Sequence, residues 1–161
     1  MPISPGEPAP DFSLFDSEKN KVTLSAFKGH PVLLLFFPLA FTSVCTKELC
    51  SVRDNIAFYN KLDATIFGIS VDSLYTLNQF RKEQQLNFRL LSDFNREVSA
   101  AYGCLYETFS FNMKGVSKRS AFVIDKEGVI QYSEVLENAS EVPDFLAIKN
   151  CLDAISTVKN I

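Results

Sequence analysis

Hydrophobic residues along the chain follow two patterns, and each predicts a different kind of element. The run from Val32 to Phe37 is apolar without alternation, which is typical of a strand covered on both faces of a sheet. Beyond it the apolar residues recur every three or four positions, which predicts an amphipathic helix from residue 45 to about residue 62. The apolar face of that helix consists of Cys45, Leu49, Val52, Ile56 and Tyr59.

Strands and helices then alternate along the rest of the chain. Further strands are predicted at residues 65–70, 88–91, 120–124 and 129–135, and further helices at residues 73–85, 95–102 and 140–158. Residues 11–14 and 21–27 flank a polar turn and predict an N-terminal β-hairpin. Because no repeat or flexible linker divides the chain, we expect one α/β domain over residues 1–161, an open mixed sheet with helices on both faces.

Composition narrows the classes of function. Sixteen Lys and Arg residues stand against 19 Asp and Glu, a net charge of −3, so nucleic acid is not an expected partner. The longest apolar run is too short to span a membrane, and the first residues lack the features of a signal peptide. We therefore expect a cytoplasmic protein, whose four cysteines serve catalysis, metal binding or packing rather than structural disulfides.

Cys45 has the most distinctive chemical context of the four cysteines. It follows the buried strand and a short loop, and it lies at the start of the predicted helix. Free N–H groups and the helix dipole favour an anion there, and the thiolate is the nucleophilic form of cysteine. Spacing alone leaves a second interpretation open, in which Cys45 is a small buried residue on the apolar face of the helix.

The residues around Cys45 resemble a known active-site loop. Pro38, Thr42 and Cys45 form the pattern Pro-x-x-x-Thr-x-x-Cys, which is similar to that of the peroxiredoxins. The resemblance extends to residues 6–12, 24–29 and 119–125. It implies a thioredoxin-like fold and a thiol-dependent peroxidase that reduces hydrogen peroxide or organic hydroperoxides without a metal, haem or flavin cofactor. The partners it implies are the hydroperoxide and a reductant, either a thioredoxin-like protein or a small thiol.

The resemblance also implies a role for each matched residue. Cys45 attacks the peroxide and becomes a sulfenic acid. Thr42 either places its hydroxyl beside the sulfur or caps the helix, and Pro38 either shields the thiolate from water or simply ends the strand. Arg119 supplies a fixed cation for the thiolate and for the charge that develops during attack. Glu48 either orients Arg119 or complements the helix dipole from the first turn.

The remaining cysteines decide how the enzyme would be reduced again. Cys50 lies five residues after Cys45, which resembles the resolving cysteine of the bacterioferritin comigratory protein-like subgroup. The loop around Pro38 instead resembles the one-cysteine alkyl hydroperoxide reductase E-like subgroup, so the sequence is a hybrid and both mechanisms stay open. Cys104 follows a glycine in a loop, a position that leaves open both exposure and a role as an alternative resolving thiol. Cys151 lies on the apolar face of the last helix, where we expect it to fill the core.

Two other functions compete with a peroxidase. A thiol-disulfide oxidoreductase would normally have Cys-x-x-Cys at the helix start, whereas four residues separate Cys45 from Cys50. A non-catalytic thioredoxin-like binding module would not need the complete set of matched residues. The cysteines and His30, which we expect in a turn, have none of the usual zinc-ligand spacings. The resemblance also implies a homodimer formed through the active-site loops. Three aromatic residues suit such a contact, although core packing is the more common role of aromatic residues: Phe41, Phe109 and Phe111.

Overall fold

The structure is a computed structural model, and it describes residues 2–158. The strands are β1 (Ser13–Asp16), β2 (Lys21–Thr23), β3 (Val32–Phe36), β4 (Thr65–Ser70), β5 (Arg89–Ser92), β6 (Ser120–Ile124) and β7 (Ile130–Val135). The helices are α1 (Ser43–Asp54), α2 (Ile56–Lys61), α3 (Leu74–Gln84), α4 (Glu97–Ala101) and α5 (Phe145–Val158). Two short 3-10 helices, Leu24–Phe27 and Ser110–Asn112, complete the order.

Within the described residues, the strands form one seven-stranded sheet in the order β2-β1-β5-β4-β3-β6-β7. Strands β3, β4 and β5 pair in parallel, and the other neighbours pair antiparallel. Strands β1 and β2 form a hairpin at one edge, and β6 and β7 form a second hairpin at the other. The predictions of a mixed α/β sheet and of an N-terminal hairpin are therefore confirmed.

Strand β3 is buried on both faces, as its uninterrupted apolar run predicts. Leu33 and Leu35 point into a core formed with helices α1, α2, α3 and α5. Leu34 and Phe36 point into a second core, on the opposite face, which contains residues of α4 and of the first 3-10 helix. Each buried leucine of this kind stabilises the fold by about 1.5–3 kcal/mol relative to exposure. The strand that leads into Pro38, Thr42 and Cys45 is thus one of the most firmly held elements.

The predicted helix over residues 45–62 is interrupted at Asn55, and this prediction was wrong in that respect. The Asn55 side-chain amide donates to the Ser51 carbonyl (2.8 Å), which is the acceptor that its own N–H would use in a continuous helix. The Asn55 N–H instead donates to the Val52 carbonyl (3.1 Å). Helix α1 therefore ends at Asp54, and α2 begins at Ile56.

Other boundaries also differ from the predictions. The strand predicted at residues 21–27 ends at Thr23 and continues as a 3-10 helix, and the last helix begins at Phe145 rather than near residue 140. The late start of the last helix follows from Pro143, because a proline disfavours helical backbone at the residue before it. The Asp144 carboxylate then accepts the Ala147 N–H (3.0 Å), as a residue that caps a helix start does. Within the described residues, no helix combines the length and hydrophobicity that a membrane span requires.

Candidate active site

The sheet register brings two distant parts of the sequence to one place. Strands β3 and β6 are antiparallel neighbours, and Phe36 at the end of β3 pairs with Ser120 at the start of β6. The chain leaves β3 through Pro38 and enters α1 at Ser43, so Cys45 lies in the first turn of that helix. Arg119 directly precedes β6 and therefore lies at the same end of the sheet.

Cys45, Arg119 and Glu48 form a buried cluster at this end of the sheet. Arg119 donates from Nη2 to the Cys45 sulfur (3.2 Å) and from Nη1 to Glu48 Oε1 (2.6 Å). Their exposed fractions are 0% for Cys45, 1% for Glu48 and 2% for Arg119. Charged side chains are almost never this deeply buried unless they are paired, so the cluster holds the guanidinium in one position against the sulfur.

Burial and pairing act against each other in this cluster. Burial opposes the charge of Arg119, but Glu48 and Cys45 outweigh it and raise the pKa of the guanidinium. For Glu48, burial is the larger effect and raises the pKa to about 7, although Arg119 opposes it. Glu48 Oε2 is buried and has no hydrogen-bond partner among residues 2–158, which is costly for a carboxylate and agrees with the raised pKa. Glu48 is thus poised to change its charge near neutral pH.

Glu48 lies beyond the first turn of α1, because the helix begins at Ser43. The alternative role, in which it complements the helix dipole from the first turn, was therefore wrong. Its carboxylate contacts Arg119 instead. This contact corresponds to the other role that the resemblance implies for Glu48, in which it orients Arg119.

A loop carbonyl also holds Arg119. The guanidinium donates from Nε (3.2 Å) and Nη2 (3.0 Å) to the Ala139 carbonyl, in the loop between β7 and α5. A turn at Asn138 shapes this loop, because Asn138 Oδ1 accepts both the N–H (3.0 Å) and the hydroxyl (2.7 Å) of Ser140. The sequence carries no signal for this contact, since a backbone carbonyl is common to every residue.

Thr42 and Pro38 shape the loop between β3 and α1. Thr42 occupies the N-cap position of α1, but its side chain makes no capping bond and instead donates to the Leu39 carbonyl (2.8 Å). Among the described residues, no hydrogen bond joins that hydroxyl to the Cys45 sulfur, so both contacts expected of Thr42 are replaced by a contact within the loop. Pro38 is buried just past the end of β3.

Asp72 anchors the same loop from the neighbouring strand, although the sequence-based predictions did not include it. Its carboxylate accepts the Ala40 N–H (2.8 Å) and the Ser70 hydroxyl (2.7 Å). Phe41 adopts a positive φ of 68° and packs edge-to-face on Phe80, with 5.1 Å between ring centroids. A signal for Asp72 was available, because it follows a buried parallel strand at the carboxyl edge of the sheet, where functional residues gather.

The four cysteines are free thiols in four different settings. Cys50 lies on α1 with Cys45, half-buried, and donates to Gln84 Oε1 (3.5 Å). Exposure of Cys104, which the sequence left open, is not found: the thiol is fully buried in the second core, where burial raises its pKa to about 12. Cys151 is half-buried against the first core, and burial raises its pKa as well. Within the described residues, no three His, Cys, Asp or Glu side chains converge as metal ligands.

Comparison with known proteins identifies the class to which this fold and site belong. The AhpC/TSA family model matches residues 5–133. A protein of Mycobacterium tuberculosis named as a peroxiredoxin is 40% identical over 130 residues, which cover 80% of this chain and 82% of the relative. Peroxiredoxin Q of Oryza sativa subsp. japonica, a chloroplastic protein, is 38% identical over 130 residues, which cover 81% of this chain and 58% of the relative.

A solved structure agrees with these relatives. The crystal structure of peroxidoxin BcpB from Mycobacterium tuberculosis superposes with a TM-score of 0.81 at 27% identity, covering 97% of this chain and 98% of that one. The fold is therefore the thioredoxin-like fold of thiol-dependent peroxidases. The chain belongs to the AhpC/TSA family and is a peroxiredoxin.

Proposed function

We propose that Cys45 is the nucleophile that reduces hydroperoxides in this protein. Its thiolate attacks the terminal oxygen of the peroxide, an S–O bond forms as the O–O bond breaks, and the leaving oxygen takes up a proton to become water or an alcohol. Cys45 is thereby oxidised to a sulfenic acid. The observation that supports this proposal is the buried Arg119 guanidinium, fixed 3.2 Å from the Cys45 sulfur.

Arg119 serves both steps of this reaction. Its positive charge stabilises the thiolate before attack and the negative charge that develops on the leaving oxygen during attack. Glu48 and the Ala139 carbonyl are positioning groups, because they contact Arg119 rather than the sulfur. Pro38 lacks an N–H and excludes water at the end of β3, and Thr42 keeps the loop closed through Leu39.

The geometry also sets a condition on substrate entry. Cys45 has no exposed surface, so a peroxide reaches the sulfur only when the surrounding side chains open slightly. The exposed residues Phe41 and Thr42 border the start of α1 and are the part of the loop that can yield. Phe41 and the 95% exposed Phe111 are aromatic side chains accessible to a partner, which supports a homodimer.

Regeneration proceeds, in this proposal, through Cys50. The Cys50 thiolate attacks the sulfenic sulfur, the S–S bond forms as the S–O bond breaks, and the departing hydroxide takes up a proton to leave as water. A thioredoxin-like protein or a small thiol then reduces the disulfide, which suits a reducing cytoplasm. A one-cysteine mechanism, in which the external thiol attacks the sulfenic acid directly, is the alternative for this step alone.

Peroxide consumption with dithiothreitol as reductant tests the assignment of the nucleophile. Cys45→Ser is expected to abolish turnover with the fold intact, because a serine hydroxyl is not ionised near neutral pH and the volume change is small. Cys151→Ser is the matched control, since it makes the same substitution at a half-buried thiol on α5 and should retain activity. Substantial turnover by Cys45→Ser would refute the proposal.

Mass spectrometry after one equivalent of peroxide tests the regeneration step. We expect a Cys45–Cys50 disulfide in the wild-type protein and a Cys45 sulfenic acid in Cys50→Ser. A wild-type protein that carries a sulfenic Cys45 beside a free Cys50 would instead establish the one-cysteine mechanism.

A further inference from the structure

The second half of helix α1 is tied to the end of α3 by three hydrogen bonds. The Cys50 thiol donates to Gln84 Oε1 (3.5 Å), and Arg53 Nη1 donates to the Gln84 carbonyl (2.6 Å). Asn87, just beyond α3, donates from Nδ2 to the Arg53 carbonyl (3.2 Å). Gln84 is the last residue of α3, so a cation there also complements the negative end of the helix dipole.

These contacts oppose the disulfide that the proposed function requires. Five residues of α-helix rise about 7.5 Å, which already exceeds the roughly 7 Å limit between the Cα atoms of a disulfide. Cys45 and Cys50 both lie on the unbroken helix Ser43–Asp54, so part of it must unwind before the two sulfurs meet. When Cys50 leaves its helical position, its bond to Gln84 must break first.

We propose that Gln84, Arg53 and Asn87 act as a latch, which holds Cys50 in the helix and limits the rate of disulfide formation. This inference rests on the proposed function, because it assigns the latch to the Cys50 step. When the latch opens slowly, the Cys45 sulfenic acid persists for longer before Cys50 reaches it, and a second peroxide molecule can oxidise it to the sulfinic acid. The three latch residues thereby set the sensitivity of the enzyme to inactivation by excess peroxide, without contact with the peroxide.

Arg53 is left unchanged in the test of the latch. Its bond to the Gln84 carbonyl restrains the helix, but its positive charge also lies close to Cys50, so its removal would change the restraint and the charge beside the thiol together. Alanine at positions 84 and 87 removes the two bonds made by the side chains of Gln84 and Asn87. It leaves the backbone carbonyl that Arg53 contacts. The double variant Gln84→Ala/Asn87→Ala therefore weakens the latch without altering the charge beside Cys50.

The experiment follows three rates in the full-length protein by rapid quenching and mass spectrometry: oxidation of Cys45, formation of the Cys45–Cys50 disulfide, and formation of sulfinic Cys45 at excess peroxide. The double variant should form the disulfide faster, by about 2- to 10-fold for each bond removed, and should accumulate less sulfinic acid. Oxidation of Cys45 should be unchanged, which distinguishes the latch from a general loss of structure.

Gln79→Ala is the matched control, because Gln79 lies on the same helix and its side chain bonds Glu83 within that helix (3.1 Å). Hydrogen exchange of the reduced proteins adds a measurement that does not depend on cysteine chemistry: amides of α1 should exchange faster in the double variant and not in the control.

Two results would overturn the latch, and they differ. If the disulfide forms at the wild-type rate in the double variant, the latch is wrong and the two-cysteine peroxidase stands. If the wild-type protein forms no Cys45–Cys50 disulfide at all, the latch fails together with the Cys50 step, while peroxide reduction by Cys45 stands.

Discussion

Removal of Arg119 is the most direct perturbation of the site. Substitution of Arg119 alone would leave Glu48 buried without a partner, which typically costs about 3–5 kcal/mol and can unfold the protein. The double variant Arg119→Met/Glu48→Gln avoids this, because both buried charges are replaced by neutral side chains of similar length. Glu48→Gln alone is its reference, so the difference between the two variants is the contribution of Arg119.

The distance between Arg119 Nη2 and the Cys45 sulfur sets the size of the effect. At 3.2 Å and an effective dielectric constant of about 20, a unit charge and a thiolate attract by about 5 kcal/mol, which is an upper bound because desolvation opposes it. A hydrogen bond to a charged group contributes about 1.5–3 kcal/mol net. Since about 1.4 kcal/mol corresponds to a tenfold change, the rate of Cys45 alkylation near neutral pH should fall by about 10- to 100-fold in the double variant.

Two assays separate the effect on the thiol from the effect on the transition state of peroxide reduction. Alkylation by iodoacetamide reports the reactivity of the thiol without an O–O bond to break. Stopped-flow oxidation by peroxide, expressed relative to the alkylation rate, reports the stabilisation of the leaving oxygen. That relative rate should fall by about 10²–10³-fold, because the donor no longer stabilises the leaving oxygen. An unchanged alkylation rate together with an unchanged peroxide rate would refute the role of Arg119 in both effects.

Three further predictions concern the groups around this contact. Because burial raises the pKa of Glu48 from 4.5 to about 7, the folded chain retains a proton that the unfolded chain releases. The free energy of unfolding should therefore fall as pH rises from 4.5 to about 7. In Glu48→Gln, measured by denaturant titration across pH, this fall should be absent. A pH profile parallel to that of the wild type would contradict the assignment. Asn138→Ala should slow peroxide oxidation about 2- to 10-fold, because the turn that aims the Ala139 carbonyl at Arg119 is lost; stopped-flow kinetics at the wild-type rate would argue against it. Oxidised Cys50→Ser, trapped as the sulfenic acid, should show faster amide exchange in the first turns of α1 than its reduced form, and equal exchange would count against release by oxidation.

The sequence predicts the local part of the site well, because that part depends on neighbours along the chain. Pro38, Thr42 and Cys45 lie within eight residues, and the change from a buried run to a helical period places the cysteine in the first turn. Arg119 is predictable only through its position before a strand and the family resemblance. Its contact with Cys45 depends on the pairing of β3 with β6, which no local pattern encodes.

Other features escape prediction for a different reason. Hydrophobic periodicity does not report which partner a polar group bonds. It therefore predicts neither the contact of Arg119 with the Ala139 carbonyl nor the break at Asn55, where the side-chain amide takes the carbonyl that the backbone N–H would use. The burial of Cys104 depends on tertiary packing, because the loop after Gly103 turns inward beneath the sheet rather than toward solvent. Polar and loop residues are therefore where this sequence and its structure differ most.

Helix α1 is restrained at two places by two kinds of contact, and the chemistry acts on them differently. Near Cys45 the restraint is the charged contact with Arg119, and near Cys50 it is the set of bonds to the end of α3. Oxidation converts a thiolate into a neutral sulfenic acid, so the electrostatic part of the first restraint disappears when the peroxide has been reduced. The second restraint involves no group that this oxidation changes. In the proposed mechanism, the contact that activates Cys45 therefore also weakens once Cys45 has reacted, and the contacts with α3 set the rate at which Cys50 follows.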